Sequence, residues 1–355
     1  MNIAYRRQTR RFSILASTAL VVFLLGFSST AVEYIYSDRL YLFTSIVQRF
    51  ISAVLPFAIG DILYILLIAY ALKSIFVFGK KALKGALKRA DRINVPLAVL
   101  NFGLILYLTF KILWGLNYSR PLIAEQLGIS NEKYNTEQLV SLGKFFVLKL
   151  NKLQAVKKTR FDIIQLKDIA VEGYASMEKT NQFFNYHIPS VKPVMNSWVI
   201  TKIGIEGYYN PLSGEANVNL RLPSVALPFV TCHEIAHQLG IGREDEANLI
   251  GYLVSSNSTD LYFQYSANYA MLKSILFEIR IKSPEDYDKL YATINKATIR
   301  DFELDREFWK KYNNDMFGYL DVAFDRFLKL NNQQKGTDSY QDIVLWLYNI
   351  HKKDL

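Results

Sequence analysis

Cysteine is nearly absent from this 355-residue chain, and histidine is scarce, with one of the first and four of the second. The single Cys232 excludes an intramolecular disulfide and says little about redox compartment. Next to a histidine it would pack as a small apolar side chain, not serve as a nucleophile. Acidic residues are the minority charge, 32 Asp and Glu against 42 Lys and Arg, for a net charge of +10. That surplus would suit nucleic acid. Yet the chain has neither a nucleotide-binding glycine pattern nor a zinc-finger histidine pair, and its basic residues sit where membrane orientation accounts for them.

What the chain has is apolar length, concentrated in the first third. Residues 12–31 form an uncharged run preceded by Arg6, Arg7, Arg10 and Arg11. The run fits one bilayer crossing; a cleaved signal peptide is the alternative, but the run is long for such a core and more spans follow, so a signal anchor is preferred. Residues 32–49, with Glu33, Asp38 and Arg39 among aromatics, read as an interfacial connection. A second span is expected over 50–78 and a third over 93–114. Asp61 lies in the second; an ionisable group inside a span is a functional signal by default. The preferred reading starts the apolar span near Ile62 and makes Asp61 its interfacial cap. Between spans two and three stand Lys80, Lys81, Lys84, Lys88, Arg89 and Arg92 against Asp91 alone. The positive-inside rule then puts the N-terminus and this loop in the cytoplasm. Three crossings leave the remainder outside. The expected division is a membrane domain over 1–116 and an extracytoplasmic domain over 117–355, in a multi-pass protein of the bacterial inner membrane.

The second part is organised around His233-Glu234-Ile235-Ala236-His237. In a chain this poor in histidine, His-Glu-x-x-His arises by chance roughly once in several hundred sequences. Residues four apart share a helix face, so both imidazoles can reach one ion. Neutral imidazole is a zinc ligand, and two of them leave room for further ligands and substrate. Glu234 can take a proton from the attacking water and pass it to a leaving amine. Gly240 would end the helix. Zinc needs a third ligand, and Glu244-Asp245-Glu246 follows at once. Glu244 shares a face with Asn248, which would support it; Glu246 is the competing ligand. Such an acidic first turn also suits a helix N-terminus.

Elsewhere, Asn135 to Lys158 and Leu166 to Phe184 have helical spacing. Trp198 to Ile205 reads as a strand, and Tyr209 to Gly214 as a turn. Glu215 to Arg221 alternates as a half-exposed strand, suited to pairing with an extended peptide. Further helices are expected over Tyr287–Phe302, Asp305–Asn314, Tyr319–Leu330 and Ser339–Tyr348. Tyr265 and Tyr340 are candidate donors to a developing oxyanion, and His187 reads as a surface residue. The fold class is thus three transmembrane helices followed by a mainly helical α+β domain, with a small sheet or hairpin before the metal helix.

Several stretches resemble a family of bacterial three-span membrane proteins of unknown function with a zincin-like domain. They are Pro56-Phe57-Ala58-Ile59-Gly60-Asp61-Ile62-Leu63-Tyr64, Trp114-Gly115-Leu116-Asn117-Tyr118-Ser119-Arg120, Tyr209 to Asn219, the metal segment, and Gly336-Thr337-Asp338-Ser339-Tyr340. Glu244-Asp245-Glu246-Ala247-Asn248 is also similar to the Glu-x-x-Ala-Asp of membrane-associated zinc peptidases with a glutamate third ligand. That resemblance implies Glu244 as ligand. Asn248 replaces the usual aspartate, and only six residues separate His237 from Glu244, a short loop for that group. Arg243 occupies the third-histidine position of the other large zincin class. The leading expectation is a zinc endopeptidase acting on an envelope protein or peptide, with no nucleic-acid partner and an oligomeric state left open. The runner-up is a metal-binding interaction or sensor protein without turnover.

Overall fold

In a computed structural model of the chain, residues 3–312, Arg326 and 342–355 are described. The elements run α1 (Ile3–Leu25), α2 (Ser29–Ala31), a π-helical stretch (Val32–Tyr41), α3 (Leu42–Ala53), α4 (Ile59–Leu83) and α5 (Asp91–Leu113). Then come α6 (Ile123–Gln126), α7 (Thr136–Lys152), α8 (Ile163–Glu178), β1 (Val191–Pro193), α9 (Ser197–Lys202), β2 (Gly207–Asn210) and β3 (Glu215–Val218). The metal segment forms α10 (Leu227–Gln238), followed by α11 (Glu244–Ser256), α12 (Leu261–Lys282), α13 (Pro284–Tyr291), α14 (Lys296–Tyr312) and a C-terminal helix, Asp342–His351.

Among the described residues three helices are long and apolar enough to cross a membrane: Tyr5–Leu25, Ile59–Leu83 and Asp91–Leu113. α1 and α5 pack side by side and point the same way. Asn101, midway along α5, donates to Gln8 Oε1 near the start of α1 at 2.9 Å. At the other end, Gly26 lies against Leu116 and Ser119. The run 50–78 is not one helix. α3 stops at Ala53, and α4 restarts at Ile59. Pro56 between them lacks an N–H and biases its predecessor away from helix.

Asp61 falls in the first turn of α4, as a cap would, but it caps toward the second part of the chain. Its carboxylate accepts from Met195 N at 3.0 Å and from the Tyr208 hydroxyl. Beside it, Glu215 accepts from Ile59 N at 3.0 Å and Gly60 N at 2.8 Å. A carboxylate on the free amides of a helix N-terminus is favourable. Span two is therefore docked on the sheet by two carboxylates.

The helical domain is built on strong local signals. Asn135 with Gln138 and Asp162 with Gln165 form reciprocal capping boxes at α7 and α8. Asp260 caps α12 through Tyr262 N and Phe263 N. Leu139, Leu142, Phe146 and Leu150 of α7 bury one face in the core, with Leu272, Ile275 and Ile279 of α12. The sheet has the order β1-β3-β2, with β1 parallel and β2 antiparallel to β3.

Three expectations change here. β3 is central and buried on both faces, not half-exposed. Its alternating polar residues are internal and bonded: Asn219, just beyond it, donates to Thr201 Oγ1 at 2.8 Å, and Glu215 holds α4. Trp198 to Ile205 is mostly the short helix α9, started by Asn196 accepting from Val199 N. Its branched side chains favoured a strand reading, and the cap decides otherwise. The expected helix over Tyr287–Phe302 is two, because Asn295 interrupts it and caps α14 through Thr298 N. The helix expected over Tyr319–Leu330 lies outside the described residues, apart from Arg326, which is helical.

Candidate metal centre

α10 runs through the middle of the domain, against the sheet, α11 and α12. Pro228 suits its first turn, where no intrahelical amide bond is needed. Gly240, at φ +81°, turns the chain out of the helix. The return loop is short, and α11 opens at Glu244 itself. That timing brings the Glu244 carboxylate beneath the two imidazoles.

His233, His237 and Glu244 present three ligand atoms within 4.8 Å of one another. Glu244 Oε2 lies 3.3 Å from His233 Nε2 and 3.7 Å from His237 Nε2. Two donors each about 2.1 Å from a tetrahedral ion stand about 3.4 Å apart, so the spacing fits zinc. Orientation fits as well. His237 Nδ1 lies 2.6 Å from the Ile241 carbonyl; as its N–H donor it leaves the Nε2 lone pair facing the cluster. Three protein donors, two nitrogens and an oxygen, leave one tetrahedral position open, as catalytic zinc sites do. In the metal-free cluster, burial alone would raise the Glu244 carboxyl, but the two imidazoles hold it well below the usual carboxylate range.

Glu234, next to His233 in the chain, is the carboxylate beside the cluster. It is buried, and its Oε2 has no hydrogen-bond partner among the described residues. Burial pushes its carboxyl up to about 7, against the pull of His233 and His237. Its other oxygen lies against the backbone of Gly207, the first residue of the edge strand β2.

The other sequence candidates separate. Glu246 does not join the cluster: it accepts from Ile123 N at 2.8 Å and faces Arg243, and so ties α11 to α6. Only two residues along the helix from Glu244, it points elsewhere. Tyr265 is also elsewhere, bonded to Thr298 and Asp301. Tyr340 lies outside the described residues. Asn248 is half-buried one turn along α11 from Glu244. His187 is exposed. Cys232 is buried, with burial pushing its thiol up to about 12, which suits packing and not reactivity.

Residue-type reasoning missed a collar around the last carbonyls of α10, which have no partner within the helix. Tyr41 donates to the His237 and Gln238 carbonyls at 3.2 and 3.1 Å. Trp114 Nε1 donates to the His237 carbonyl at 3.5 Å, and its ring meets the His237 ring edge-on, centroids 6.0 Å apart. Arg120 donates to the Leu239 and Gly240 carbonyls, both at 3.1 Å, while holding Glu33 with two short bonds of 2.6 and 2.7 Å. Tyr118 is buried, and the Glu244 carboxylate adds to the burial that raises its hydroxyl. Glu206, raised by burial, is the further carboxylate that feels His233. Tyr41 and Glu33 come from the link between spans one and two, Trp114, Tyr118 and Arg120 from the exit of span three, and Glu206 stands just before β2. The signal was the Trp114 to Arg120 stretch, whose Trp114 and Tyr118 read from sequence as an interfacial belt at the exit from the membrane.

No curated protein and no solved structure matches the chain. A family profile, described as "Protein of unknown function (DUF3810)", matches residues 36–348. It spans the second and third apolar helices, the sheet and the whole His-His-Glu cluster, so the chain belongs to this family.

Proposed function

We propose that this chain is a membrane-anchored, zinc-dependent peptidase of the bacterial inner membrane. The observation that carries the reading is Glu234, a buried carboxylate with an unpartnered oxygen, adjoining three convergent metal donors. Zn2+ held by His233, His237 and Glu244 would act as a Lewis acid toward a scissile carbonyl. Glu234 would remove a proton from the attacking water and deliver it to the leaving nitrogen. β2, an edge of the sheet beside Glu234, offers backbone for an extended substrate. A purely structural zinc would usually have four protein ligands and no such base.

Orientation follows from charge. The parallel packing of α1 and α5 puts Arg6, Arg7, Arg10 and Arg11 at the same end as the basic 80–92 loop. That end is cytoplasmic by the positive-inside rule, and the metal centre then lies on the extracytoplasmic side.

The test uses the full chain in detergent or vesicles, with metal analysis and hydrolysis of a mixed peptide library. Wild type should bind about one zinc and cleave; Glu234→Gln should bind zinc and cleave at least a hundredfold more slowly. Zinc binding with no cleavage dependent on Glu234 would favour a metal-binding sensor or interaction protein and sink the peptidase reading.

A further inference from the structure

α3 is an amphipathic helix turned inside out. Its polar residues Ser45, Arg49 and Ser52, spaced four and three apart, face the protein and are buried, Arg49 to 3% exposure. Ser52 and Ser190 hydroxyls meet at 2.7 Å, Gln48 donates to the Pro211 carbonyl at 2.8 Å, and the Arg49 guanidinium lies over the Tyr186 ring. Among the described residues the opposite stripe, Phe43, Val47, Phe50, Ile51 and Val54, is exposed, Phe50 to 64% and Val54 to 78%. Trp198 of α9 is also half open, on an element that begins beside the Asp61 bond to Met195 at the start of α4.

Chain continuity names what covers this stripe. α3 joins two helices of membrane-spanning length and lies at the end of the spans where α1 stops and α4 begins. A helix with a strong apolar face at that level rests in the boundary between headgroups and acyl chains. Its polar side is in turn one side chain from the metal helix. Gln238, next to the ligand His237, donates to the Ser190 carbonyl at 2.9 Å and the Gly214 carbonyl at 2.6 Å. Ser190 touches Ser52, and Gly214 packs on Gln48 and Arg49. One helix thickness, about 10–12 Å, and one layer of side chains separate the apolar stripe from α10.

We infer that the Phe43–Val54 stripe is immersed in the outer leaflet and that the metal centre consequently works on polypeptide held at the bilayer surface. The substrate class is a membrane-anchored chain, cut within roughly ten extended residues of its anchor at about 3.4 Å per residue. This substrate assignment rests on the peptidase reading above; the immersion does not.

Two measurements on the full chain in phosphatidylcholine vesicles test it. Phe50→Cys and Val54→Cys variants carry a bimane label, with Lys289→Cys on α13 as the water-facing reference. Spin-labelled phosphatidylcholine should quench the first two several-fold more than the reference, and iodide should do the reverse. Iodide quenching equal to the reference overturns the immersion. So does protection from both quenchers, which would mean a protein, such as a second copy, covers the stripe. In the second measurement a synthetic transmembrane peptide with a mixed-sequence tail is compared with the free tail. The anchored form should be cut at least tenfold faster and close to the anchor; equal rates or distal cuts overturn the assignment. Cleavage of neither defeats the peptidase reading and the substrate class with it, while quenching still decides where α3 lies.

Discussion

The backbone of Gly207 is pressed against the carboxylate of Glu234: a Cβ placed on Gly207 would stand 2.5 Å from Glu234 Oε1 and 2.8 Å from the Asn217 carbonyl. Only hydrogen fits between the edge strand and this carboxylate. Gly207→Ala must therefore push the carboxylate aside or open the β2–β3 pairing. Misplacing a catalytic group by about 1 Å costs on the order of a hundredfold in rate. Gly207→Ala should keep its zinc, because no metal donor touches the new methyl, and lose about that much hydrolysis. A variant with full zinc and full activity would falsify the role given to this contact.

The two glutamates of α11 should fail differently. Glu244→Ala removes a donor from the cluster, and zinc affinity should fall by more than about a hundredfold with the fold intact, as titration against a chelator would read. Glu246→Ala leaves the buried Ile123 amide without its acceptor. It should retain zinc and lose about 1–3 kcal/mol of stability in denaturant unfolding. Metal loss in Glu246→Ala alone would reverse the ligand assignment.

The collar at the end of α10 gives a graded series. Tyr41→Phe removes one hydroxyl donor from two carbonyls and should cost about 1 kcal/mol. Glu33→Ala leaves the largely buried Arg120 guanidinium without its carboxylate. Breaking such a pair from one side costs about 3 kcal/mol. Melting in detergent should rank Glu33→Ala well below Tyr41→Phe, and zinc affinity should fall in the same order, since the collar grips the segment joining His237 to Glu244.

These cases mark what the sequence makes legible. His233, Glu234 and His237 are readable because helix period alone places them together. Glu244 against Glu246 is not, since both lie in the same first turn, and the choice depends on where Ile123 comes to rest. The burial of β3 is hidden because pattern counts polarity and not partners: Glu215 and Asn219 look solvent-facing until Gly60 and Thr201 are brought to them. Tyr265 looked available as one of 23 tyrosines; Asp301, from a distant helix, holds it. The collar escaped because each member sits at the edge of an apolar run, where an interfacial role already accounts for aromatics and arginine.

His351 supplies a pH test remote from the metal. Its Nε2 lies 2.7 Å from the Tyr252 hydroxyl, and its ring packs on Phe145 and Phe146. Burial, reinforced by Lys149, lowers its imidazole to about 4, with Asp354 opposing. The folded protein thus resists a proton that the unfolded chain accepts from about pH 6.5 downward. This contribution to stability is complete above about 6.5 and drains away as pH falls toward about 4. Allowing for solvent screening, it amounts to something on the order of 2 kcal/mol. His351→Gln cannot titrate in this range. Thermal unfolding of wild type and variant should therefore diverge at neutral pH and converge as pH approaches 4, the carboxylates common to both cancelling in the difference. A constant gap across that range would mean that His351 takes up its proton as readily in the folded protein as in the unfolded chain.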